Sequence, residues 1–62
     1  YLKNVLSVLK GNGFSVNTLA TAAKTKFNPS VDEDLKQRIV ASFDPAVFSA
    51  SEILQASGVI NN

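Results

Sequence analysis

Sixty-two residues make at most one small domain, and a chain of this length withdraws only about 60% of its unfolded surface from water, so its stability margin is thin. Hydrophobic residues at 45% against charged residues at 18% place it among soluble globular chains, and the absence of Cys and His removes disulfides, thiolates, imidazoles and the usual zinc sites, disfavouring most enzyme classes. A net charge of +1 says little about partners, and its distribution along the chain says more.

Leu2, Val5, Leu6 and Leu9 recur at helical spacing, with Val8 at the edge and Lys3, Asn4, Ser7 and Lys10 opposite, which predicts an amphipathic helix over 2–10. Gly11-Asn12-Gly13 offers the positive-φ positions that end it. Ser15 is a good N-cap for a second helix, with Phe14 and Leu19 placed as the two halves of a hydrophobic staple. That helix runs to about Phe27, and its apolar face comprises Val16, Leu19, Ala20, Ala23 and Phe27. Ala20, Ala22 and Ala23 make the face thin enough for a neighbouring helix to come close. Asn28-Pro29 closes it, because a residue before proline is pushed out of the helical region.

Ser30 to Glu33 has the spacing of a capping box, and Asp32, Glu33 and Asp34 crowd the first turn of a third helix, where the helix dipole favours carboxylates. Val31, Leu35, Ile39 and Phe43 follow at i, i+4 spacing, and Asp32 with Lys36 and Asp34 with Arg38 form acid-before-base pairs. Asp44-Pro45 reads as an N-cap with proline at the first helical position, opening a short turn through Phe48. Ser49 to Glu52 repeats the capping box before a last helix with Ile53, Leu54 and Ala56 as its apolar part. Gly58 is placed to end that helix, with Val59 as the closing contact. No segment alternates long enough for a strand.

These elements predict an all-α fold: one helical domain over 1–62, a small orthogonal bundle of four to five short helices. An offset of 34 lays Phe14-Ser15 on Phe48-Ser49, Leu19 on Ile53, Ala22 on Ala56, Val5 on Ile39, Leu6 on Val40 and Leu9 on Phe43. The match describes two pseudo-repeated helix-turn-helix units, although helical periodicity by itself also generates apolar coincidences. Tyr1 in place of Met reads as a mature chain trimmed from a precursor or as a piece of a longer protein. No apolar run approaches the roughly 20 residues of a membrane span, and Asn28-Pro29-Ser30 is blocked as a glycosylation site by its proline. Localisation stays open.

The chemistry-bearing residues have structural explanations. Ser15, Ser30 and Ser49 read as N-caps, no histidine exists to activate a hydroxyl, and neighbouring carboxylates at Asp32, Glu33 and Asp34 diverge on a helix. Asn28, Ser30, Asp32 and Asp34 alternate somewhat as in a calcium loop, but the sixth-position glycine is missing and Ile39 stands where a bidentate Glu is needed. Gly11-Asn12-Gly13 lacks the pattern of a phosphate loop. No cofactor or metal is expected.

Residues 16–41 loosely match helix-turn-helix spacing, yet the would-be recognition helix opens with three carboxylates that repel a phosphate backbone, so nucleic-acid binding ranks third. The Gly13-Phe14-Ser15 helix start is similar to that of transcription-activator-like effector repeats and mitochondrial termination-factor repeats. Those three residues also form an ordinary cap and imply no family membership.

Charge is unevenly spread. Residues 1–28 hold Lys3, Lys10, Lys24 and Lys26 and no acid, a local +4; residues 29–62 hold Lys36 and Arg38 against Asp32, Glu33, Asp34, Asp44 and Glu52, a local −3. The reading that follows is a non-enzymatic protein-interaction or self-assembly module. Its docking cluster would be Val47, Phe48, Val59 and Ile60, oriented by Lys3 and Lys10 against Asp32, Glu33 and Asp34. The alternative is a small helical carrier of apolar ligands, lined by its own core residues.

Overall fold

The computed structural model describes residues 1–28 and 32–62. Four helices follow one another: α1 (Leu2–Gly11), α2 (Val16–Phe27), α3 (Glu33–Ala41) and α4 (Ala50–Ile60), with no strand among the described residues. The chain is a small helical bundle.

The turn after α1 is a Schellman motif. Phe14 N–H donates to the Leu9 carbonyl at 3.2 Å and Gly13 N–H to the Lys10 carbonyl at 3.0 Å, which requires Gly13 at φ +95°. Ser15 Oγ then accepts the Thr18 N–H at 3.2 Å and starts α2 where the cap residue predicts. The expected inner face is there, with Val16, Leu19, Ala20 and Ala23 buried and Phe27 half-buried. Phe14, expected to staple onto Leu19, is 48% exposed and lies outside the residues packed on the core. Asn28 ends α2 in the left-handed region at φ 44°, which Asn tolerates better than most residues.

The start of α3 departs from expectation. Its N-cap is Asp32, whose Oδ1 accepts the Leu35 N–H at 3.0 Å; the predicted cap Ser30 lies outside the described residues, as does Val31. A carboxylate turned back onto the helix end does not reach Lys36, and the Lys36 ammonium sits 3.7 Å from Glu33 instead. Asp34 and Arg38 pair as expected, at 2.9 Å.

Between α3 and α4 the Asp44 side chain accepts the Ala46 N–H at 3.0 Å, and its carbonyl takes the Val47 and Phe48 N–H groups at 2.9 and 2.8 Å. This single turn swings Phe48 inward against Phe43, edge to face with centroids 5.0 Å apart. The Ser49–Glu52 capping box forms with both of its hydrogen bonds.

Gly58 does not stop α4, which continues to Ile60 and caps at Asn61. A mid-helix glycine costs about 1 kcal/mol relative to Ala. Burying Ile60, which is 0% exposed, is worth about 1.5–3 kcal/mol, so its burial outweighs the cost of the glycine. Leu54 is not part of the apolar face: it is 75% exposed, and the buried stripe is Ala56 and Ile60 with Ile53 at its edge.

Ala20 and Ala56, both 0% exposed, allow α2 and α4 to form the most closely packed pair of helices. Leu6, Ile39, Phe43 and Phe48 complete the core around that pair, and no polar residue is buried among the described residues. Helix α1 rests more sparsely on α2. That looseness positions the candidate site.

Candidate functional site

The predicted docking cluster is divided by the fold. Phe48 and Ile60 are 1% and 0% exposed and belong to the core, Val59 is half-buried, and only Val47, at 38%, reaches well into solvent. The reason is that residues at the ends of helices this short still lie within reach of the core. The Asp44 turn carries Phe48 into it, and the extra turn of α4 carries Ile60.

The basic first half does face the acidic second half, through other acids than those expected. Lys3 lies 4.0 Å from Asp44, and Lys10 donates to Glu52 Oε2 at 2.6 Å while its ammonium stands 5.3 Å from the centre of the Phe48 ring. Asp32, Glu33 and Asp34 are engaged within α3, by the cap, Lys36 and Arg38. Glu52 divides its oxygens, Oε1 taking the Ser49 N–H at 2.8 Å and Oε2 the Lys10 ammonium. The bond from Lys10, followed by that from the Ser49 backbone, holds the Glu52 carboxyl below its ordinary value.

Two apolar features lie on α1. One is a shallow depression of about 340 Å³ along its outer side, formed by Tyr1, Asn4, Val5, Val8 and Leu9, with Val8 62% exposed. The other is a groove of about 190 Å³ between α1 and α2. Leu6, Leu19 and Ala23 are its buried floor; Leu2, Val5 and Leu9 line one wall, and Ala22, Lys26 and Phe27 the other. Its one signal in the sequence is the thin alanine face of α2. Ala20 uses that thinness to admit α4, whereas Ala22 leaves a gap that α1 does not fill.

No family model, curated protein or solved structure matches the chain. Its residues and their placement therefore carry the functional argument. Among the described residues no three His, Cys, Asp or Glu side chains gather as metal ligands would, and no helix is long and apolar enough to cross a membrane.

Proposed function

We propose that the protein is a non-enzymatic docking module whose contact surface is the outer side of α1 rather than the C-terminal cluster. The observation that carries this reading is the apolar strip of Tyr1, Val5, Val8 and Leu9, at i, i+3 and i+4 spacing, whose most exposed members Tyr1 and Val8 are 94% and 62% accessible. An open strip with helical spacing suits an apolar protein surface laid along it, since a small-molecule site normally encloses its ligand. Asn4 supplies a polar contact within the strip, and Lys3 borders it with a side chain 59% exposed. The hydroxyls of Ser15 and Ser49 accept backbone N–H groups at helix starts, which supports a structural role for them over a nucleophilic one. Asp32, Glu33 and Asp34 at the exposed start of α3 disfavour docking of that helix on nucleic acid.

The chain has no cysteine, so a single one can be placed at will. Val8→Cys carrying a photocrosslinker should form discrete protein adducts in a cell extract, or a double-mass adduct with the purified chain if the partner is a second copy. Leu54→Cys, on the exposed face of α4, should give none. Unlabelled wild type should compete, and unlabelled Val8→Asp, folded but altered on the strip, should not. Identical adducts from both positions would sink the proposal.

A further inference from the structure

We infer that the groove between α1 and α2 binds a single-chain anionic amphiphile, its apolar tail between the helices and its carboxylate on Lys26. This does not depend on the protein-docking role of the outer strip. Three observations converge on it.

The groove is polar at one end only. α1 and α2 meet at the Gly11–Ser15 turn and Lys26 and Phe27 stand on the last turn of α2, the end farthest from that turn. Leu2 stands at the corresponding far end of α1, and every other lining residue is apolar. An aliphatic tail with one charged head has the same distribution of polarity.

Lys26 is also the one side-chain cation without a protein partner among the described residues. Lys3, Lys10, Lys36 and Arg38 are paired with Asp44, Glu52, Glu33 and Asp34, and Lys24 donates to the Asn62 carbonyl. Residues 1–28 carry no carboxylate, so nothing on these two helices competes for its charge. The unpartnered cation and the apolar groove coincide at one residue.

The dimensions suit one chain. From Leu2 to Leu9 the α1 wall rises roughly 10 Å at 1.5 Å per residue, and the volume of about 190 Å³ is below that of pockets that enclose drug-sized ligands.

The test is a titration of the intact chain with decanoate, decanol and decyltrimethylammonium, each below its micelle concentration, followed by amide shifts in two-dimensional NMR. Decanoate should shift the amides of Leu2, Ala22, Ala23 and Phe27 and bind about two- to fivefold more tightly than the cationic chain, the range of an exposed ion pair. Lys26→Glu should reverse that order. Ala22→Trp, at an exposed position on the groove wall, should remove binding while leaving the helical signal intact. Equal affinity for the three amphiphiles in wild type and Lys26→Glu would overturn the proposal. So would shifts confined to Val8 and its neighbours, groove shifts that track protein concentration without ligand and so reveal a second copy, or binding to anionic vesicles with none to monomeric decanoate.

Discussion

The first helix pair and the second begin α2 and α4 in the same way and bury the preceding phenylalanine in opposite ways. Ser15 and Ser49, 34 residues apart, are both N-caps with a bond to the N–H three residues on, and each follows a phenylalanine. Phe14 is 48% exposed and Phe48 only 1%. The difference lies in the turns. A glycine Schellman motif delivers Phe14 at the edge of the fold, whereas the Asp44 turn brings Phe48 against Phe43 and beneath Lys10. The lesson is that a capping signature specifies where a helix starts, and the geometry of the approaching chain decides which side chains it buries.

Truncating the two rings tests this most severely. Phe48→Ala should lose about 3–5 kcal/mol, a large part of the roughly 3–9 kcal/mol expected for a chain of this length, and should leave little cooperative unfolding in a urea titration followed by circular dichroism. Phe14→Ala should lose under about 1.5 kcal/mol, since less surface is withdrawn from water at that ring. Comparable losses at both positions would mean that the two turns bury their rings alike.

The glycines sharpen the contrast with effects of opposite sign. At φ +95° Gly13 holds a conformation that side chains disfavour, and a Cβ there would meet nothing within 4 Å, so Gly13→Ala should cost about 1–2 kcal/mol through the backbone alone. Gly58 lies inside α4 with open space around it, and Gly58→Ala should stabilise by about 0.5–1 kcal/mol. Thermal midpoints moving apart, down for the first and up for the second, are the expected result. A fall for both would mean that α4 needs its glycine.

Local rules made much of the fold legible. Ser15 and Ser49 are caps because a short oxygen-bearing side chain meets orphan N–H groups wherever a helix starts, Asp44 holds the Ala46 N–H of a single turn in the same way without a helix following, and each can be read without knowing what packs nearby. Sequence and structure part where tertiary packing competes with local preference. Ile60 pulls α4 past Gly58, and the stripe of Ala56 and Ile60 excludes Leu54, although Ile53-Leu54 reads as one apolar block. At α3 the cap is Asp32, which holds the Leu35 N–H, although in the sequence it reads only as one of three carboxylates favoured by the helix dipole. The candidate site was least legible. A groove exists where two faces fail to meet, and the gap at Ala22 depends on how α1 is set against α2, which periodicity does not encode.

The smallest expected effect concerns the link between the two halves. Lys10 ties α1 to the start of α4 through Glu52, and the Glu52 carboxyl is held below its unfolded value of about 4.3. A carboxyl depressed by folding contributes stability that is fully present above the unfolded pKa and is lost as pH falls through the folded one. Wild type should therefore lose thermal stability on acidification from neutrality to below the carboxylate range, and Glu52→Gln should lose less over the same interval. Because the group is accessible to water the gap between the two curves will be small, and salt should narrow it further. Lys10→Gln, which removes the largest cause of the shift and leaves the Ser49 N–H in place, should fall between them. Three parallel curves would mean that the Lys10–Glu52 pair has no part in holding the two halves together.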